Sequence, residues 1–442
     1  MSQPKLLIIG GAAGLAVIIL LTFLVLGSFD PGTSQRATLQ FWGTFDDEKF
    51  YSGAIAEFNR ANPDVRIIYK KLNFEDYEKQ LIDSFAAGTG PDIWLMHNTW
   101  LPKHSDKIQP LPQEKLKGED KPLFTLKEFQ DQFVDVTVSD LTIGGQIYSL
   151  PIYVDTLGLY YNKDLFNTFG IVSPPKTWDE FNDDVKRIVA FDSRGNFSRT
   201  GAAIGTAKNI NRSTDILMLL MMQSGTKMTD DNYGGATFAK SVENENIGET
   251  ALQYYTDFAN PAKQTYTWND GQSYSIDAFS NGDTAMILNY SHHIATIRDK
   301  AARFNFGTAP TPQISGTQLA VNYANYWAPT VAKQSKNSIA AWKFLVFLSS
   351  VKGDTLYVNA SNRPSARRDL LEQQKSDPDL GVFATQALAA RSWYQVDNSA
   401  IESIFAEMID DVNYGRASVR EAIRAAENKV SVLMARSRRN NL

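Results

Sequence analysis

Cysteine is absent from all 442 residues of the chain. That excludes a disulfide framework, a lipid-bearing cysteine and any thiolate metal site, so the fold must rest on its own apolar core. Histidine is scarce: His97, His104, His292 and His293 are the only four, and no pair has the His-x-x-x-His spacing of a helical metal site. No transition-metal centre or other cofactor is expected. The phosphate-binding Gly-Lys-Ser/Thr loop, the dinucleotide fingerprint and the Gly-x-Ser-x-Gly elbow are missing as well, which removes several common enzyme chemistries. A net charge of −5, with no basic tract interleaved with aromatics, offers no field for a phosphate backbone, so nucleic acid is not an expected partner. The one basic cluster, Arg436 to Arg439, reads as a solvated tail.

What the chain does have is an uncharged apolar run, Leu6 to Leu26, followed by a polar joint from Ser28 to Arg36. At 1.5 Å per residue, about 20 residues cross a hydrocarbon core about 30 Å thick. The run exceeds the roughly 7 to 15 apolar residues of a secretory signal, and its only cleavage-like sequence is the weak Val25-Leu26-Gly27. An uncleaved anchor helix is expected within residues 1–29, with a linker over 30–37. Lys5 ahead of the run orients the N-terminus to the cytoplasm and the body outside it, giving a single-pass membrane protein with an extracytoplasmic body.

Roughly 400 residues follow the anchor, enough for two domains with substantial cores. Thr38 to Trp42 reads as a strand and Asp46 to Asn59 as a helix that presents Phe50, Ala54, Ile55 and Phe58 on one face and stops at Asn62-Pro63. Val65 to Tyr69 is a second strand, Tyr77 to Ala87 a second helix, and Ile93 to Met96 a third strand. Such alternation predicts a parallel sheet covered on both faces. Thr125-x-x-Glu128, Thr177-x-x-Glu180 and Ser418-x-x-Glu421 have the spacing of capping boxes. Gly282 is placed to take a left-handed position between the turn at Asp277 to Ser280 and a strand at Ala285 to Leu288.

Several stretches resemble the extracellular solute-binding proteins of ABC importers, in particular the carbohydrate-binding group that includes maltose-binding protein. They are Gly90-Pro91-Asp92-Ile93, Leu150-Pro151 with Leu159 to Phe166, Pro174-Pro175-Lys176-Thr177-Trp178-Asp179-Glu180, and Ala278 to Met286. Each is weak alone; their shared order and spacing over nearly the whole soluble chain is specific. The resemblance implies an α/β, two-lobed periplasmic-binding-protein-like fold of type II. Its discontinuous lobes are joined by hinge crossings, and one N-terminal transmembrane helix precedes them. Lobe one is expected over 38–153 and 309–358, lobe two over 154–308 and 359–440. It further implies a monomer that is not an enzyme, captures a mono- or oligosaccharide between the lobes and delivers it to ABC permease subunits in the membrane.

A sugar presents hydroxyls at its edge and a C–H-rich face, so its site calls for aromatic rings and planar polar groups. Of the 8 tryptophans, Trp342 in an apolar helix, Trp178 in a capped first turn and Trp94 inside a strand read as core. The other five lie at strand ends or in loops, where α/β folds place ligands. Trp42 closes the first strand, near Asp46, which either meets the ligand or caps the following helix. Trp100 follows Asn98 after the third strand, in a loop that faces the cleft in the relatives. Trp268 and Asp270 share a turn that could equally be a surface anchor. Tyr326 and Trp327 precede the strand Pro329 to Ala332, and Trp393 lies between helices, with interhelix packing as its alternative.

Asp155, four residues after Pro151, matches an acidic sugar-binding residue of the maltose-binding relatives but is one methylene shorter than their Glu. Tyr153 is a hinge-wall candidate, and Arg363 reaches either the cleft or solvent. Where those relatives carry a stacking Trp, this chain has His292 with Tyr290 nearby, so maltodextrin specificity does not carry over. The rival readings are a ferric or other non-sugar solute on the same fold, a membrane-tethered glycan sensor, and a glycoside hydrolase. The tyrosine pairs Tyr160-Tyr161 and Tyr254-Tyr255 could serve a ferric site but read as structural, and nothing in the sequence pairs two carboxylates as a hydrolase needs.

Overall fold

A computed structural model describes residues 36–241 and 245–440. The apolar run, and with it the expected transmembrane helix, lies outside the described residues. Among the described residues, no helix is long and apolar enough to cross a membrane.

Alternation along Ala37–Gly43 (β1) turns Leu39 and Phe41 inward, as the pattern predicts. The chain then alternates through Glu48–Ala61 (α1), Val65–Lys71 (β2), Phe74–Ala86 (α2) and Ile93–His97 (β3). Its later elements include Asp155–Thr156 (β4), Gly158–Asn162 (β5), Trp178–Ile188 (α3), Ser213–Gln223 (α4), Met286–Asn289 (β6), Phe306–Ala309 (β7), Asn322–Asn325 (β8) and Trp327–Val331 (β9). Ser338–Leu348 (α5), Val351–Ser361 (α6), Ala390–Arg391 (β10), Asn398–Asn413 (α7) and Val419–Asn440 (α8) follow. The capping boxes at Thr125 and Ser418 close reciprocally, while Glu180 reaches back to the amide of Lys176 rather than that of Thr177. Gly282 takes φ +82° as expected.

The first sheet has the order β9-β3-β1-β2. Strands β1, β2 and β3 are parallel, but β9 runs antiparallel to β3, so the expected all-parallel sheet fails at that edge. The second sheet, β6-β5-β7, is antiparallel throughout.

Each sheet anchors its own core. One core contains Leu39, Phe41, Tyr77, Trp94 and Trp342; the other contains Leu159, Trp178, Leu217, Phe258 and Ile401. Apart from Phe383, which reaches into the second core while Leu371 and Ala384 on either side pack in the first, the chain passes between them three times. Val154 packs in the first core and Leu157 in the second; Tyr323 in the second and Ala324 in the first; Ala390 in the first and Trp393 in the second. These passages coincide with β4, β8 and β10, which pair as one small sheet, β10-β8-β4. A two-lobed α/β molecule results, its halves joined through three short strands. The sequence reading put the return crossings after residues 308 and 358; Ala309 packs with the second core, and Ala366 and Leu371 with the first.

Candidate functional site

On the first lobe, β1 ends at Gly43 and the chain turns through Phe45, whose φ of +62° is left-handed, a rare conformation for a bulky residue. Phe45 is 48% exposed, and Phe74, opening α2, is 49% exposed. Their ring centroids are 4.7 Å apart. Both meet Trp327, at 5.7 and 6.1 Å, and Tyr77, His97 and Trp100 surround that indole from 5.0 to 5.8 Å. Two exposed rings backed by buried ones form a fixed apolar platform. Burial, and then the charge of Arg212, push the His97 imidazole down to about 3, so it stays neutral.

On the second lobe, Arg212 occupies the N-cap of α4, also left-handed at φ 61°. Its Nε and Nη2 donate to Asp215 Oδ2 and Oδ1 at 2.7 and 2.8 Å, and Nη2 also donates to Glu402 Oε1 at 3.0 Å. The Tyr290 hydroxyl donates to the same Asp215 at 2.5 Å. Tyr290 lies parallel to His292, with centroids 6.2 Å apart. Beneath them, Asp155 accepts the Ser291 amide and hydroxyl and the Thr156 amide, with His292 Nδ1 at 3.7 Å from its Oδ2. Asp155 thus holds the loop after β6 in place and is itself buried.

The two walls meet through polar contacts. Trp100 Nε1 donates to Asn398 Oδ1 at 2.7 Å, and Lys103 bridges Glu78 at 2.7 Å and Asp397 at 2.9 Å. Elsewhere along the seam a cavity of about 890 Å³ is lined by residues of both lobes, among them Asn98, Asp140, Met228, Trp393 and Tyr394. Asp140 accepts Asn98, Tyr326 and Ser392, and burial raises its carboxyl to about 6.

Of the residues singled out in the sequence, Trp100, Trp327, Asp155, Tyr290 and His292 contribute to these two walls. Asn98 and Trp393 line the cavity instead; the Trp393 indole donates to Met218 Sδ at 3.4 Å and packs on Phe405. Trp42 lies against the first core with Lys70 over its ring. Asp46 does not cap α1, because Asp47 holds that position. Its carboxylate accepts Tyr51, Tyr357 and Arg363, and Arg363 in turn covers the Tyr153 ring at 4.4 Å. This buried cluster ties the segment after α6 to the first lobe. Trp268 and Tyr326 are both 0% exposed, their polar atoms given to Asn209 and Asp140, so neither side chain can touch a ligand. Asp270 is exposed and accepts the Tyr414 hydroxyl.

The reading of the sequence missed Phe45, Phe74, His97, Arg212, Asn398 and Glu402. Only Phe45 carried a local signal, an aromatic residue in the turn after the first strand. The other five are assembled by tertiary structure.

Comparisons with known proteins agree with this architecture. A sequence profile described as bacterial extracellular solute-binding protein matches residues 53–382. The maltodextrin-binding protein MdxE of Bacillus subtilis is 24% identical over 434 residues, covering 93% of this chain and 95% of that protein. A binding protein of Brucella abortus is 26% identical over 294 residues, and the match spans 66% of each chain, just under two thirds. The crystal structure of the cyclic α-maltosyl-1,6-maltose binding protein from Arthrobacter globiformis superposes with a TM-score of 0.73 at 22% identity, over 90% of this chain and 99% of that one.

Proposed function

This chain belongs to the bacterial extracellular solute-binding proteins, and we propose on that premise that it captures a carbohydrate between its lobes for delivery to an ABC import permease. The observation that carries the reading is the pair of exposed rings, Phe45 and Phe74, set on Trp327, in a first-lobe wall that meets the second lobe through Trp100 and Asn398. Rings suit the C–H face of a sugar, while the guanidinium, carboxylate and imidazole groups suit its hydroxyls. The sugar-binding relatives support the same reading.

The protein binds without turnover and acts as a monomer. Closure brings the walls together around the ligand, as in other hinge-closing binders. Core membership, Phe383 apart, supports moving the lobe boundaries to the three small strands, with lobe one over 38–154 and 324–390 and lobe two over 157–323 and 393–440. Residues 1–29 tether the body outside the cytoplasmic membrane, a role that rests on the length of the Leu6 to Leu26 run.

Thermal denaturation against a panel of mono- and oligosaccharides, amino acids and ferric iron tests the reading. A ligand at 100 times its dissociation constant adds about 2.7 kcal/mol of stability, which is readable as a shift in melting temperature. Stabilisation by ferric iron or an amino acid and by no sugar would replace carbohydrate with that solute.

A further inference from the structure

The lobe-two wall holds one guanidinium, Arg212, among three carboxylates, Asp155, Asp215 and Glu402. Asp215 is the fixed partner, its side chain 2% exposed and gripped by both the Arg212 fork and Tyr290. Glu402 differs, because it and Arg212 keep 32% and 27% of their side chains in solvent. With Ser213, Thr214, Ser399 and Ser403 they line an open pocket of about 400 Å³ that lies wholly on the second lobe, beside Asn398, which meets Trp100 across the seam. Asp215 alone would balance the charge of Arg212; Glu402 adds a second carboxylate on the side that faces the pocket. Remove it, and the guanidinium would remain beside the Thr214 and Ser399 hydroxyls, the protons of Ser213 and Ser403 being given to the carbonyls of Ala207 and Ser399, and a guanidinium so placed suits carboxylate or phosphate. Lys103 is held between Glu78 and Asp397 and Arg363 by Asp46, while Lys227 and Arg391 line the separate cavity along the seam.

We propose that Glu402 is a specificity-determining residue that masks Arg212, so that the seam accepts neutral sugars and turns away uronates and sugar phosphates. The inference rests on the carbohydrate reading of the seam and adds the charge class of the ligand. An anionic sugar would have to approach Glu402 as a like charge or displace it from Arg212, and either leaves a carboxylate poorly paired.

Isothermal titration of the full-length protein with galactose and galacturonate, glucose and glucuronate, and inorganic phosphate tests the masking, with melting curves to confirm folding. Wild type is expected to favour the neutral member of a bound pair by at least about tenfold and to take up no phosphate. Glu402→Gln is expected to gain at least about tenfold for the anions, and Arg212→Gln in that background to remove the gain. A folded Glu402→Gln protein that gains nothing overturns the inference. So does wild type that binds an anion as tightly as its neutral counterpart, a result that decides the matter even if the variant fails to fold. Should no neutral sugar from any panel bind while Glu402→Gln gains phosphate, the carbohydrate reading falls and the masking of Arg212 stands.

Discussion

The indole N–H of Trp100 donates to Asn398 Oδ1 at 2.7 Å, joining the loop after β3 in the first lobe to the first turn of α7 in the second. Asn398 stands one helical turn before Glu402 on α7. The amide that meets the aromatic platform of one wall therefore sits beside the charged cluster of the other. A ligand shifts such a pair of lobes only by its differential contacts with the open and closed states. If the lobes close around a ligand, the Trp100 to Asn398 bond, which spans them, counts toward the closed state.

Asn398→Ala should weaken ligand binding by about 0.5 to 1.5 kcal/mol, the net worth of one hydrogen bond, with little change in melting temperature. Calorimetric titration and the radius of gyration from X-ray scattering read the two effects. An unchanged affinity would show that the bond takes no part in closure.

Phe45→Ala and Phe74→Ala remove rings that are half in solvent, so each should cost little stability yet weaken sugar binding by roughly 1 to 3 kcal/mol where the ring stacks on the ligand. Trp342→Ala should do the reverse. Its indole is fully buried and donates to the Gln109 carbonyl, so its removal should cost about 3 to 5 kcal/mol of stability. Urea melts and titrations of the three variants check the contrast.

Asp46→Ala leaves Arg363 buried beside Tyr153 without its carboxylate and strips two tyrosine hydroxyls of their acceptor. A loss of about 3 to 5 kcal/mol in unfolding free energy is expected, the usual cost of breaking a buried pair by removing one partner. A loss below about 1 kcal/mol, the worth of an exposed pair, would contradict this account of the cluster.

Burial raises the Asp140 carboxyl from 3.8 to about 6 in the folded protein. A folded value above the unfolded one means that the native state holds the proton more tightly. The stability this gives is complete below the unfolded value and is lost as pH rises through about 6. Chemical denaturation between pH 4 and 7 should show that decline, measured against Asp140→Asn, which removes it. A decline of equal size in the variant would assign it to other groups.

Much of the fold was legible because it is local. Periodicity, the Asn62-Pro63 stop and the capping residues depend on neighbours in the chain, and the structure keeps those elements within a few residues. The antiparallel edge strand β9 was not legible, since its partner β3 lies more than 200 residues earlier. The site divided along the same line. Trp327 and Trp100 were singled out because strand ends and the loops beside them are where such folds place ligands, and the structure sets both rings in the first-lobe wall. Trp268 misled, because a turn-like Asn269-Asp270-Gly271 neighbourhood does not reveal that the adjacent ring points into the core. Arg212 and Glu402 are 190 residues apart, and only folding pairs them.

The central claim is that a sugar is held on the platform built around Trp327, and the measurement that tests it most directly is titration calorimetry of a neutral oligosaccharide panel against wild type and Trp327→Ala. At least one member should bind wild type saturably at one per chain and lose roughly 1 to 3 kcal/mol of affinity in the variant. Saturable binding that Trp327→Ala leaves intact, or no binding by any sugar, would contradict the account.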